Sequence, residues 1–297
     1  GISGELSLGH AGFMSVGAFS GIVMAMWLSK GMGVANETLC LLLAILTGGA
    51  AAGIAGVVIG IPVLRLRGDY LAIVTLAFGE IIRNVINCLY ISLDGQRLHI
   101  AFNNPNVAGK LLVNGPAGAT GVNKMATFGM GFALTLFTLF VVLNLIDSRS
   151  GRAIMAIRDN RIAAESIGIN VTYFKLAVFM LSAFFAGAAG TLYGHFFANV
   201  KAASFDYNMS IEILVIVVLG GMGSVPGSII AAIVLQLLPE LMREFADYRM
   251  LLYAIVLILV MLATNDPRMR EFFERLRPSN LVRKLAAKNK KEAQTDD

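Results

Sequence analysis

An all-α, polytopic transmembrane helix bundle of about eight spans is the fold this sequence predicts, and three observations predict it. Hydrophobic residues fill 57% of the 297 positions, charged residues only 14%, and mean hydropathy is +0.73. A soluble chain carries about a quarter of its residues as charges, so the bilayer is the expected solvent. The apolar residues also come in runs of the roughly 20 residues needed to cross about 30 Å of hydrocarbon. Finally, the basic residues divide unevenly between the segments that join those runs.

In chain order the candidate spans are Ala11–Leu28, Leu39–Leu64, Tyr70–Tyr90, Ala126–Ile146 and Phe174–Gly194. The apolar stretch Ser210–Leu238 is too long for one span, and the Gly- and Pro-rich segment Gly220–Gly227 divides it in two. Met250–Thr264 completes the eight. An even count puts both ends of the chain on one side. With those ends cytoplasmic, the inside segments hold 16 lysines and arginines and the outside segments seven, as the positive-inside rule requires. The spacings Gly17/Gly21, Gly49/Gly53, Gly56/Gly60 and Gly190/Gly194 are small-xxx-small pairs, which let membrane helices approach closely.

Residues 1–264 are read as one transmembrane domain, with a cytoplasmic segment at 147–173. Residues 265–297 form a basic cytoplasmic tail lying at the anionic inner leaflet. No nucleic-acid partner is expected for it. Asp266 and Pro267 stand at helix-start positions. Gly1–Leu8 has neither a charged n-region nor a cleavage site, so the chain is expected to be a fragment that continues upstream of Gly1. Cys40 and Cys88 have no metal-like spacing and are read as packing residues.

No catalytic constellation emerges. His10, His99 and His195 are far apart, and no cofactor or metal is expected. The stretch Gly115–Gly121 faintly resembles a phosphate loop but lacks the Gly-Lys-Ser/Thr ending, so any ATP must be hydrolysed by another chain.

Within the cytoplasmic segment, Ser150 is expected to cap one short helix, Asp159 or Asn160 a second, and Gly168 to close it. Ile154, Ile157 and the Ala163-Ala164 pair give these helices an apolar face. Such a pair of helices fits a groove on a partner. The residues fit a basic loop anchored by lipid headgroups equally well.

Inside the membrane, Glu80 and Arg83 are spaced to pair on one helix face. A pathway role and an internal ion pair that fixes packing both explain them, the latter being the simpler. Asp69 and Glu212 suit the positive N-terminal ends of their helices. Ser7, Leu8, Gly9 and His10 read either as a bend beside a pathway or as a packing turn.

The order Arg158-Asp159-Asn160-x-x-Ala163-Ala164-Glu165-x-x-Gly168 resembles the coupling segment of ABC-importer permeases. The blocks Ser7–Phe13, Gly68–Leu76 and Gly220–Ser224 resemble, in the same order, the branched-chain amino acid permease family of LivM type. The resemblance runs from Gly1 to about Thr264. It implies a fold of about ten helices, two of them upstream of this chain, in the bacterial inner membrane. Also implied are a second permease subunit of LivH type, two ATP-binding subunits and an extracytoplasmic amino-acid-binding protein. Arg158, Asp159, Ala163, Ala164, Glu165 and Gly168 would then form the coupling surface. Ser7, Leu8, Gly9, His10, Thr75, Glu80 and Arg83 become the pathway candidates. The implied cargo is Leu, Ile or Val; related permeases carry urea, short amides or other amino acids. A secondary transporter should repeat its helix break in both halves, and only the one at Gly220–Gly227 is evident. A membrane enzyme should bring His, Asp, Glu or Ser together at one face, and no such set stands out.

Overall fold

The computed structural model describes residues 3–33, 36–64, 66, 68–94, 97–103, 109–221 and 223–241. The expected span Met250–Thr264, the basic tail and Arg65 and Arg67 lie outside these residues. The described chain divides inside its eighth helix into two units, the first ending at Val215 and the second beginning at Ile216.

The first unit is built on long apolar helices. Helix α1 (His10–Met26) continues into a π turn at Trp27–Gly31, and α2 (Glu37–Val63) and α3 (Asp69–Asn87) follow. Asn36 caps α2, its side chain accepting the Leu39 N–H at 3.4 Å. Helix α4 (Phe128–Asp147) leads to two short helices, α5 (Arg149–Asp159) and α6 (Arg161–Ser166), and then to α7 (Val171–Phe196). Helix α8 (Tyr207–Leu219) carries the chain into the second unit. Six helices among the described residues are long and apolar enough to cross a membrane, and Val225–Leu237 forms a shorter apolar helix. The helical bundle is therefore present, and the seven predicted spans that fall on described residues coincide with helices to within a few residues.

The bundle is held where α1, α2 and α7 cross. A Cβ on Gly17 would run into the Gly187 carbonyl, one on Gly190 into the Met14 carbonyl, and one on Gly48 into the Thr191 hydroxyl. Backbones touch there, and Thr191 Oγ1, fully buried, donates to the Gly17 carbonyl at 2.8 Å. All four small-xxx-small pairs fall on these three helices. Buried Phe13, Ala52, Ile59, Val63 and Ala183 fill the interior below the crossing.

A five-stranded sheet corrects the all-α expectation. Strands β1 (Leu89–Asp94), β2 (Arg97–Phe102), β3 (Lys110–Asn114), β4 (Ala119–Thr120) and β5 (Asn199–Val200) are antiparallel in the order β2-β1-β3-β4-β5. Ile91, Leu93, Leu112, Val113 and Val200 join one core cluster with Phe19, Ile22 and Met26 of α1. The third predicted span consequently stops at Asn87, because Leu89 and Tyr90 belong to β1. Cys40 is buried as expected, but Cys88 is exposed at the end of α3. The phosphate-loop-like stretch is a 3-10 turn at Gly115–Ala117 followed by β4.

Chain order fixes the two ends of the first unit. Helix α4 runs from the sheet to the α5–α6 hairpin, and α7 returns from the hairpin to β5. The hairpin end carries Arg149, Arg152, Arg158, Arg161 and Lys175, the end that the positive-inside rule assigns to the cytoplasm.

In the second unit, Gly220–Ser224 turns the chain from α8 into α9 (Val225–Leu241). Ser224 Oγ accepts the Gly227 N–H at 3.2 Å, and Gly221 has φ +88°. The predicted break is a capped turn.

Gly17→Ala should separate α1 from α7 and lower the yield and thermal stability of detergent-solubilised protein. Gly129→Ala on α4, where nothing lies within 4 Å of the added Cβ, should be neutral or add up to about 1 kcal/mol of helix propensity.

Candidate functional site

The segment that precedes α1 runs beside the middle of two spanning helices, α3 and α7, and is not itself helical. His10 Nε2 lies 3.0 Å from Ser182 Oγ, eleven residues or about 16 Å along α7. The Leu8 N–H donates to Thr75 Oγ1 at 2.9 Å, six residues or about 9 Å along α3. The bend at Ser7–His10 is thus within the bilayer, not at its face. Free N–H groups there cost several kcal/mol each unless bonded, and neighbouring hydroxyls bond them. Besides Thr75, Ser7 Oγ accepts the Gly9 N–H at 3.4 Å and Ser210 Oγ accepts the Ala11 N–H at 3.3 Å. His10 Nδ1 sits 3.3 Å from the Ser7 carbonyl, which can only accept. Nδ1 therefore donates, leaving Nε2 to accept from the Ser182 hydroxyl.

Small residues bring this bend onto α3. A Cβ on Gly9 would lie 2.9 Å from the Thr75 carbonyl oxygen, and one on Gly12 only 2.8 Å from Gly79 Cα. Beside the crossing, Leu8, Gly12, Glu80, Phe205, Tyr207 and Ser210 are among the residues that line a narrow crevice with no room for a water-sized sphere. In this conformation the crevice is closed. Helix α8 starts there, with Asp206 accepting the Met209 N–H at 3.1 Å. Asp206 thus holds the helix-start position expected of Glu212, which lies further along α8.

Glu80 and Arg83 form the expected pair, Nη2 to Oε2 at 2.7 Å, with side chains 26% and 28% exposed. Glu80 faces the crevice. Arg83 Nε is buried and has no hydrogen-bond partner among the described residues. The structure brings together Ser7, Leu8, Gly9, His10, Thr75 and Glu80. Ser182 and Ser210 belong with them but went unremarked in the sequence, although a hydroxyl within an apolar span is a signal that could have found them.

The second assembly is the α5–α6 hairpin. Its first cap is Ser148, whose Oγ accepts the Gly151 N–H at 3.0 Å, and not Ser150. Asn160 caps α6, accepting the Ala163 N–H at 3.1 Å. Gly168 has φ +86°, and the Ile169 N–H reaches back to the Ala164 carbonyl at 3.1 Å, which closes α6 as the sequence predicts. Ala164 is buried with Ile157 and Val171. It holds the hairpin together and is turned away from the outer surface.

That outer surface is unexpectedly apolar. Ile162 is 80% and Ile167 74% exposed. The charges around them pair within the hairpin, Arg161 to Glu165 at 2.8 Å and Arg158 to Asp159 at 3.1 Å. Bend and hairpin are joined by the start of the chain. The Arg158 stem lies against Gly4, where an added Cβ would come within 2.6 Å of Cγ. Glu5 forms an ion pair with Lys175 at the start of α7.

Comparisons with known proteins agree with this architecture. A family described as "Branched-chain amino acid transport system / permease component" matches residues 1–263. The chain is 35% identical to the high-affinity branched-chain amino acid transport system permease protein LivM of Salmonella typhimurium, over 88% of this chain and 63% of that protein. It is 29% identical to the corresponding LivH protein of Escherichia coli over 46% of the chain and 43% of that protein. Against the ribose import permease protein RbsC of Haemophilus influenzae it is 27% identical over 47% of the chain and 49% of that protein. No solved structure matches. The chain spans a little under two thirds of the LivM protein, and the match to the family covers nearly all of this chain: it belongs to the branched-chain amino acid transport permease family.

Proposed function

We propose that this chain is a membrane-spanning permease subunit of an ABC importer that carries branched-chain amino acids across the bacterial inner membrane. The α5–α6 hairpin carries the reading. It is a capped, compact projection on the basic side of the bundle, with two isoleucines held outward. Exposed isoleucines whose neighbouring charges are already paired suit an apolar groove better than anionic headgroups. An ATP-binding subunit supplies that groove. The assembly contains a second permease of LivH type, two ATP-binding subunits and an extracytoplasmic amino-acid-binding protein. ATP is hydrolysed by the partners, and the chain itself is not an enzyme.

The mechanism follows from the contacts. ATP-driven closure of the two ATPases displaces both hairpins. The displacement passes through Gly4 and Glu5, which touch Arg158 and Lys175, to the bend at Ser7–His10. The bend is held by side-chain hydroxyls and not by helix, so it can shift against α3 at low cost and open the crevice beside Glu80. A shallow route suits Leu, Ile or Val, because a deep site would retain its cargo. Arg158, Asp159, Ala163, Glu165 and Gly168 form the contact together with Ile162 and Ile167, while Ala164 supports it from within. Urea, a short amide or another amino acid as cargo is the second reading, favoured by the polar Glu80 on the crevice.

Three outcomes are expected. Glu165→Lys should leave ATP hydrolysis running without amino-acid uptake, measured side by side in proteoliposomes. The Arg161 pair it breaks contributes about 0.5 kcal/mol or less, too little to unfold the bundle, so normal coupled uptake would remove the hairpin from the mechanism. Ile162→Asp together with Ile167→Asp should cut recovery of ATPase subunits on affinity purification while leaving the membrane abundance of this chain unchanged. Arg83→Ala should lower uptake at normal abundance if the pair serves the crevice; reduced abundance would assign it to packing.

A further inference from the structure

The sheet carries an apolar stripe that neither the transport pathway nor the hairpin uses. β2 is an edge strand. Its Leu98, Ile100 and Phe102 lie directly opposite Leu93, Ile91 and Leu89 of β1, so all six side chains share one face. On β1 that face is covered, Ile91 and Leu93 being 7% and 8% exposed within the cluster that includes the outer end of α1. On β2 it overhangs: Leu98 is 39%, Ile100 64% and Phe102 64% exposed. The opposite face of the same strand carries Arg97 and His99.

The depth of the stripe is fixed at one end. The Asn103 N–H donates to the Cys88 carbonyl at 2.8 Å, and Cys88 caps α3. Phe102 therefore sits beside the last residue of a membrane-spanning helix, at the outer boundary of the hydrocarbon. Aromatic side chains concentrate at that boundary. A strand lying there with one apolar and one more polar face has the polarity of an interfacial element.

We propose that β2 is an interfacial anchor whose Leu98, Ile100 and Phe102 insert into the outer leaflet beside α3 and brace the extracytoplasmic sheet on the bilayer. Continuity of the stripe with the face that already packs on the helix ends argues for lipid, because beyond the edge of the bundle the bilayer takes the place of those helix ends. Edge strands left apolar in water invite aggregation, and insertion removes that hazard.

Nitroxide labels test this on the full-length protein, purified with its native partners and reconstituted in phospholipid bilayers. Cys88→Ser removes the exposed thiol of the described residues, Cys40 being buried, and each spectrum is read against the same complex without the introduced cysteine. Labels at Ile100→Cys and Phe102→Cys should collide more with oxygen than with a water-soluble nickel chelate, as at lipid-facing Phe140→Cys on α4. A label at His99→Cys should show the reverse. Nickel exceeding oxygen at 100 and 102 would put the stripe in water. Low collision with both reagents would put it against protein. Either result overturns the proposal. Should the cysteine variants fail to insert, Phe102→Trp in a Trp27→Phe background gives a second reading. Quenching by lipids brominated on the acyl chain supports insertion, and its absence refutes it.

Discussion

Everything in the first unit depends on direct backbone contact where α1, α2 and α7 cross. Lipid is as apolar as leucine, so no hydrophobic effect drives these helices together, and only dense van der Waals contact remains. Gly17, Gly48, Gly187 and Gly190 provide it by presenting backbone where other residues present side chains. Thr191 adds a buried hydrogen bond across the same point. The three helices behave as one body, with α7 linking the hairpin at the cytoplasmic end to the sheet at the outer end.

Against that body lies the non-helical segment that precedes α1. A non-helical segment within a bilayer needs substitutes for its missing helical bonds. Ser7, Thr75 and Ser210 hydroxyls supply them, while His10 and Ser182 tie the bend to α7. The bend is therefore held by side-chain hydrogen bonds where the rest of the bundle is held by helical ones. The same segment touches Arg158 and Lys175. A push on the hairpin therefore has a short physical route to the crevice.

Much of this was legible from the residues. Long apolar runs, the Gly220–Gly227 break, the loop charges and the Asn160 and Gly168 signals each correspond to an observed element. The sheet was missed although two residues, Gly95-Gln96, stand between two alternating segments, Leu89–Asp94 and Arg97–Phe102, and a two-residue link with Gly first is a hairpin signal. Counting 20-residue windows blurs such short alternation, since Leu89 and Tyr90 extend the apolar run of α3. Ala164 was misjudged for a different reason. Small size suits both a docking surface and a tight turn, and only its contact with Ile157 and Val171 separates the two. Ile162 and Ile167 were unremarked because an isolated isoleucine between charges gives no sign of which way it faces. Ser182 and Ser210 could not be linked to His10 and Ala11, because contacts across about 170 to 200 positions leave no trace in local spacing.

Purification of the full-length protein from native membranes in a gentle detergent, with its bound partners identified by mass spectrometry, decides whether it works with ATPase subunits. Recovery of an ATP-binding subunit together with a second permease is the predicted result. A chain that purifies alone, under conditions that keep known transporter complexes intact, would contradict it and make this protein a transporter that works without ATPases.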